Sequence, residues 1–516
     1  MNYFASHGAG HGAHNQPCEA PPLRRQSRRQ LCRNALLLAL SQLLFFALPS
    51  FAASPNILLV YVDDLGYGDT AVYGHTVVKT PHIDRLAAEG LRFTQFYAPS
   101  ALCSPSRAGL LTGRTPYRTG VRDWIPPDSD VSLGRNETTL ADLAKQAGYR
   151  TAVIGKWHLN GGLGMADAPQ PRDFGFDYQY GLDAWVKNAA VATSDKPRRG
   201  PLYPDNMYRN NQPVGATDRY SAELVSDEAI GWLTRDDTPF FLLLTYSEVH
   251  TPIASPPQYL QMYQQFLTPE ARANPLLFYR EFVYRPWRGR GEYYANISYL
   301  DAQLGRVLEH LRKQGVLDNT LVIFSSDNGP VTDAAITPWE LGMAGETGGL
   351  RGKKRFLFEG GLRVPGIIRY PALVGAGTTV DEPVTALDLF PTLAELFAQE
   401  LPDRTPIDGQ SLLPLLRGDA WQRQQPLYWA IETPDGMEYA LRDGDWKLIL
   451  DGKAQPRYLF DLSRDLYEVN NLLGNEPQRV AAMIAAFTAY QNSVDKDPLK
   501  QQREHDGTPD TGSSGD

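Results

Sequence analysis

The chain has 516 residues, of which 42% are hydrophobic, 11% aromatic and 21% charged, with 50 Lys and Arg against 59 Asp and Glu for a formal net charge of −9. These fractions are those of a globular protein long enough for one large domain with a smaller partner. The acidic balance excludes a nucleic-acid-binding face, which needs a basic excess, so an anionic substrate would have to be drawn by a local basic pocket.

The first fifty residues differ in kind. Leu23–Arg33 is dense in arginine, Asn34–Leu48 is an apolar run too short for an ordinary membrane span, and Ser50-Phe51-Ala52 places small residues before a cut near Ala53. The pattern predicts an export signal over residues 1–52, with an uncleaved anchor as the alternative. Within it, Ser27-Arg28-Arg29-Gln30-Leu31 resembles a twin-arginine signal. The expectation is a periplasmic or secreted protein with no stable membrane span after signal removal. Cys18 and Cys32 would leave with the signal, so Cys103 would remain alone, without an internal disulfide or a zinc–cysteine cluster.

Asn56–Val62 is a continuous apolar run, the mark of a strand buried on both faces, and it ends in Asp63-Asp64. A helix over His82–Glu89, a short strand over Phe93–Ala98 and a helix beginning at Cys103 follow. Ser104 suits the cap of that helix and Pro105 its first turn. Cys103 thus stands at a helix N-terminus, where unpaired N–H groups and the dipole favour an oxyanion, with Arg107 a turn further on. Thr138–Ala147 reads as a Thr-capped helix stopped by Gly148, and Arg150–Ile154 as a strand running into Gly155-Lys156-Trp157-His158. After the irregular, aromatic stretch Asn160–Thr217 come a helix over Asp218–Leu233 and an apolar strand over Phe240–Tyr246, which leads to His250-Thr251-Pro252. A second such stretch, Tyr259–Trp287, precedes a long helix over Glu292–Gln314 and the strand Thr320–Ser326, which ends in Asp327-Asn328-Gly329.

Alternating strands and helices predict an α/β fold over residues 53–420, a large mixed, mostly parallel sheet sandwiched by helices. Parallel strands would bring Asp63-Asp64, Lys156 and His158, His250, and Asp327-Asn328 to one edge. Farther on, a helix over Leu387–Phe397 is followed by short strands at Leu427–Ile431, Tyr439–Arg442, Trp446–Leu450 and Tyr458–Asp461. With a helix over Arg479–Gln491, these predict a smaller antiparallel α+β domain over 421–495. The polar residues 496–516 read as a disordered tail.

Taken singly, Asp63-Asp64 is more often a turn or helix cap, and Asp327-Asn328-Gly329 a common turn. Together they gather three carboxylates, which call for a cation, and an amide oxygen. That all-oxygen set suits one Ca²⁺, with Mg²⁺ as the alternative. The string from Cys103 to Arg114, Cys-Ser-Pro-Ser-Arg-Ala-Gly-Leu-Leu-Thr-Gly-Arg, resembles the signature of the type I sulfatases. In that family the cysteine is oxidised by a formylglycine-generating enzyme to formylglycine, whose hydrate attacks sulfur. Gly155 to His158 is similar to the family's Gly-Lys-Trp-His element and His250 to Pro252 to its His-x-Pro. Leu350 to Gly361 is similar to a stretch whose functional lysine lies five residues before Glu-Gly-Gly, here Lys354 with Lys353 beside it.

The resemblance implies the alkaline phosphatase superfold and a metal held by Asp63, Asp64, Asp327, Asn328 and the modified Cys103. It also implies roles. Asp327 takes the nucleophile's proton, Lys354 and His250 hold the sulfuryl oxygens and one of them protonates the leaving group, Arg107 and Lys156 steady the aldehyde hydrate, and His158 deprotonates its second hydroxyl. The implied activity is a sulfuric ester hydrolase acting on an aryl sulfate or a sulfated sugar, in the pattern of the arylsulfatase A and galactosamine-6-sulfatase branches. The two aromatic insertions are expected to stack on sugar faces. Two alternatives are a phosphonate or phosphate monoester hydrolase of the same superfold and a non-catalytic binder of sulfated glycans. The signature string speaks against the first, and the filled pocket positions against the second.

Overall fold

The computed structural model describes residues 54–184, 204–251, 253–269, 272, 289–332, 343–403, 405–433 and 436–506. The expected export signal with Cys18 and Cys32 lies outside the described residues, as do residues 507–516 of the expected tail, Pro252, and residues 185–203, 270–271 and 273–287 of the two insertions.

The first strand, β1 (Asn56–Val62), shows why its run is apolar throughout. Ile57, Leu59 and Tyr61 enter one hydrophobic cluster, while Leu58, Val60 and Val62 enter another on the opposite face. A period of two with both faces buried leaves no polar position. The strands that follow are β2 (Leu91–Tyr97), β3 (Arg150–Gly155), β4 (Tyr178–Gly181), β5 (Tyr208–Arg209), β6 (Gln212–Pro213), β7 (Phe240–Tyr246), β8 (Thr320–Ser326), β9 (Arg363–Arg369), β10 (Thr378–Val380) and β11 (Val384–Thr385). Among the described residues they form one 11-stranded sheet in the order β10-β2-β9-β8-β1-β7-β3-β4-β5-β6, with β11 on β2. The centre, β8-β1-β7-β3-β4, is parallel; β9 runs antiparallel to both β2 and β8, and the β4-β5-β6 end is antiparallel. This is the mixed, mostly parallel sheet that the alternation predicts.

Helices α1 (Pro81–Glu89), α4 (Ser221–Leu233) and α5 (Arg290–Lys313) cover the Leu58 face. Helices α2 (Cys103–Thr112), α3 (Leu140–Gln146) and α6 (Leu389–Leu396) cover the Ile57 face. A second sheet of β12 (Leu427–Thr433), β13 (Gly436–Asp443), β14 (Trp446–Leu450) and β15 (Pro456–Asp461) is wholly antiparallel. One of its faces lies under α7 (Pro477–Asp495). The other packs Trp429, Ile449 and Phe460 against Leu102 and Leu357, which flank Cys103 and the Lys354 loop.

Several expectations need correction. The α2 cap is Leu102, not Ser104, whose hydroxyl instead accepts from the Ile125 N–H at 3.1 Å. Strand β9 escapes the pattern because Pro365 stands inside it, a residue that ordinarily argues against a strand. Strand β4 lies in a stretch read as irregular, and Phe174, Phe176, Tyr178 and Tyr180 there are buried in the core, so they do not serve as sugar platforms. Residues Pro498–Asp506 are not disordered. They form α8, where Arg503 approaches Glu137 to 3.3 Å.

Candidate active site

The register of the parallel strands builds the site. Val62 pairs with Tyr246 on β7 and with Ser326 on β8, so the residues just past those ends meet in one row. The Asp63 N–H donates to the Tyr246 carbonyl at 3.1 Å, the Asp327 N–H to Val62 at 3.0 Å and the Lys156 N–H to Thr245 at 3.0 Å. Gly155, just before Lys156, has φ 120°, and a Cβ there would lie 1.6 Å from the Thr245 carbonyl oxygen, so only glycine lets β3 close on β7.

Each aspartate at this edge has a basic partner. The Lys156 ammonium donates to Asp63 Oδ2 at 2.6 Å, Lys354 to Asp64 Oδ1 at 2.6 Å and Oδ2 at 2.9 Å, and Arg107 to Asp327 Oδ2 through Nε at 3.1 Å and Nη2 at 2.7 Å. All of these groups are buried. Three bases thus balance three acids, so charge alone does not demand a metal, contrary to the sequence argument. Lys354 also donates to Cys103 Sγ at 3.2 Å, and Asn328 Nδ2 donates to Asp64 Oδ1 at 2.7 Å. The Asp64 N–H donates to Asp327 Oδ1 at 3.1 Å, which ties the two ends of the cluster together.

A cation nevertheless fits. Among the described residues, Asp63, Asp64, Cys103 and Asp327 each bring one ligand atom to within 4.8 Å of the others. Asp63 Oδ1 and Asn328 Oδ1 are buried and accept no hydrogen bond. Buried acceptor oxygens without donors are costly in a closed protein and are satisfied by a hard cation.

The electrostatics follow from burial and pairing. Burial opposes ionisation of Asp64, but Lys354 and then His250 overcome it and hold its carboxyl well below the usual range. Burial and then the Asp63 charge push Asp327 up to about 7, against Arg107 and Lys156. Burial pushes the Cys103 thiol up to about 12, against Lys156 and Lys354, so as a thiol it is a poor nucleophile near neutral pH. Burial and then Lys354 bring His250 down to about 3.

Of the residues singled out in the sequence, Asp63, Asp64, Cys103, Arg107, Lys156, Asp327, Asn328 and Lys354 form one bonded cluster. His250 joins it with Nε2 3.8 Å from Asp64 Oδ2 while its Nδ1 contacts the Thr251 carbonyl at 2.5 Å. His158 lies further out, its Nε2 on the Ile125 carbonyl at 3.1 Å, and it feels the charges of Lys156, Arg107 and His250. Asp64, His158 and Arg355 all have positive φ, 61°, 58° and 76°, a strain of about 1–3 kcal/mol each that gathers at functional sites. Sequence reasoning missed Arg114. It is buried behind α2, 2.9 Å from Glu137 and 3.0 Å from Asp497. Its place at the end of the cysteine string was the available signal.

A family model described as Sulfatase matches residues 55–399, and one described as N-sulphoglucosamine sulphohydrolase, C-terminal, matches residues 346–491. Arylsulfatase A of Homo sapiens is 34% identical over 501 residues, 89% of this chain and 90% of the relative. N-acetylgalactosamine-6-O-sulfatase of Bacteroides thetaiotaomicron is 30% identical over 494 residues, 83% of this chain and 91% of the relative. The crystal structure of Ps i-CgsB in complex with k-i-k-neocarrahexaose superposes with a TM-score of 0.71 at 26% identity, covering 85% of this chain and 93% of that one.

Proposed function

The chain belongs to the sulfatase family and is a hydrolase of sulfate esters, and on that premise we propose that Cys103, matured to formylglycine, provides its nucleophile beside one divalent cation, Ca²⁺ in preference to Mg²⁺. The observation that carries this reading is the position of Cys103 at the start of α2, 3.2 Å from the Lys354 ammonium and with its Sγ within 4.8 Å of a carboxylate oxygen of each of three aspartates. Asp63, Asp64, Asp327 and Asn328 would hold the cation. When bound, cation and aldehyde hydrate supply a polarised sulfuryl group, an oxygen nucleophile of lowered pKa and a second hydroxyl from which sulfate can be expelled.

The chain's own residues supply the rest. Asp327, which accepts from the Asp64 N–H and shares the ligand cluster with Cys103, is placed to take the nucleophile's proton. Lys354 and His250 face the same Asp64 carboxylate, which places both to hold sulfuryl oxygens and one of them to protonate the departing alkoxide. Arg107 and Lys156 steady the hydrate, and His158 removes the proton of its second hydroxyl. The substrate class is an aryl sulfate or a sulfated sugar. Sugar platforms would come from the two aromatic insertions, of which residues 185–203 and 273–287 lie outside the described residues. The arginine-dense, apolar leader supports export to the periplasm or the medium, and among the described residues no helix is long and apolar enough to cross a membrane.

Peptide mass spectrometry together with an aryl sulfate assay tests the proposal. The expected result is an aldehyde at Cys103 in active protein and loss of turnover on chelation, restored by Ca²⁺. Active protein bearing only the thiol would overturn the nucleophile, and full activity without metal would overturn the cation.

A further inference from the structure

Lys354 stands in the loop between β8 and β9, and that loop is gripped from the second sheet. Ahead of Lys354, Arg351 Nη1 donates to the backbone carbonyl of Glu468 at 2.7 Å, and its guanidinium lies over Phe358 at 4.0 Å and over the β15 rings of Tyr458 at 5.1 Å and Phe460 at 5.9 Å. Beyond Lys354, the backbone N–H of Glu359 donates to Glu468 Oε2 at 2.7 Å. The Gly360 N–H donates to the Arg351 carbonyl at 2.7 Å and closes the loop on itself. Lys447 of β14, fully buried, lies 2.9 Å from Glu468 Oε1 and 2.9 Å from Glu359 Oε1. Between the gripped ends, the Lys354 N–H donates to Pro330 and the Arg355 N–H to Ala101, each at 3.0 Å, and Ala101 is two residues before Cys103.

We propose that Glu468, buried in the turn after β15, is a positioning residue for the sulfate site: its carboxylate holds the Glu359 end of the Lys354 loop and its backbone carbonyl the Arg351 end, and together they set where the ammonium meets Cys103. It touches no substrate. Glutamate suits the task because one oxygen takes the Glu359 N–H while the other takes the Lys447 charge. The side chain itself is held in a left-handed backbone conformation, φ 54°, with no exposure. The inference rests on Lys354 serving the sulfuryl oxygens, as proposed above.

The test is a double-mutant cycle on the full, matured chain, reading kcat/KM for an aryl sulfate and the inhibition constant of inorganic sulfate. Misplacement of a binding group by about 1 Å costs on the order of 100-fold. Glu468→Ala should therefore lower kcat/KM by roughly 10- to 100-fold and weaken sulfate binding, with Glu468→Gln, which keeps an acceptor for the Glu359 N–H, losing less. In a Lys354→Ala background, Glu468→Ala should cost less than about 2-fold further, because its effect passes through the missing ammonium. Equal losses in both backgrounds would mark Glu468 as a general structural residue and overturn the inference, as would an unchanged Glu468→Ala protein. Should the alanine variant not fold, the same cycle with Glu468→Gln gives the same decision. Full activity in Lys354→Ala alone would instead refute the reading of Lys354, a result distinct from either failure of Glu468.

Discussion

Lys156 and Cys103 sit in the same buried cluster, yet their removal should have opposite consequences. The Lys156 side chain has no exposure and its ammonium is 2.6 Å from Asp63 Oδ2. In metal-free protein, Lys156→Met leaves the Asp63 carboxylate buried with only Arg107 Nη2, 3.6 Å from its other oxygen, as a cationic neighbour, which costs roughly 3–5 kcal/mol. Denaturant unfolding should show that loss, and a variant as stable as the parent would mean that Asp63 is served elsewhere. Cys103 carries no charge as a thiol, and Cys103→Ala removes one polarizable atom, so unfolding should shift by about 1–2 kcal/mol. Turnover of an aryl sulfate should vanish, and measurable turnover would remove Cys103 from the reaction. The site positions were legible because the chemistry sits in short strings at strand ends. The pairing was not. Lys156 and Asp63 are 93 residues apart, Arg107 and Asp327 220, and Lys354 and Asp64 290, and only the register decides which base meets which acid.

Helix α2 shows how one string serves two purposes. Its first turn presents Cys103 and Arg107 to the sheet edge, while its end is shaped for packing. Gly113 has φ 67°, donates its N–H to the Gly109 carbonyl at 2.8 Å, and leaves room for Phe390, whose Cβ would lie 2.5 Å from an added Cβ. Gly113→Ala combines a strained backbone with overpacking and should destabilise by about 2–4 kcal/mol. A thermal melt that overlays the parent's would refute that account. Strands such as Phe240–Tyr246 and Thr320–Ser326 were readable to the residue because a strand buried on both faces has no other pattern. Strand β9 and α8 were not, because their stability is tertiary. Pro365 fits only against its particular neighbours, and α8 is polar by composition and held by contacts such as Arg503 with Glu137.

At the scale of the whole molecule, the two sheets are joined through buried charge as well as through apolar contact. Tyr97 donates to Glu359 Oε2 at 2.7 Å, Arg363 Nε does so at 2.8 Å, and Lys447 donates to Oε1 at 2.9 Å. Burial would raise the Glu359 pKa, but Lys447, Arg363 and Arg442 overcome it and hold the carboxyl well below the usual range. Unfolded, it titrates near 4.5. Between that value and the depressed folded one the unfolded chain binds more protons, so this contribution is complete above about pH 4.5 and falls away as the pH drops. Its neighbour Glu468 runs the other way. Burial and the Glu359 charge raise it to about 6 against Lys447, so its titration falls at higher pH than that window. Glu359→Gln should be less stable than the parent by roughly 3–5 kcal/mol near neutral pH, since a buried pair loses one partner. The gap should narrow steadily as the pH falls from about 4.5 to about 3, where the parent's carboxyl is progressively neutralised in the unfolded chain. Urea unfolding across that range decides the matter: two parallel stability curves would mean that Glu359 does not carry the charge that ties the second sheet to the active-site loop.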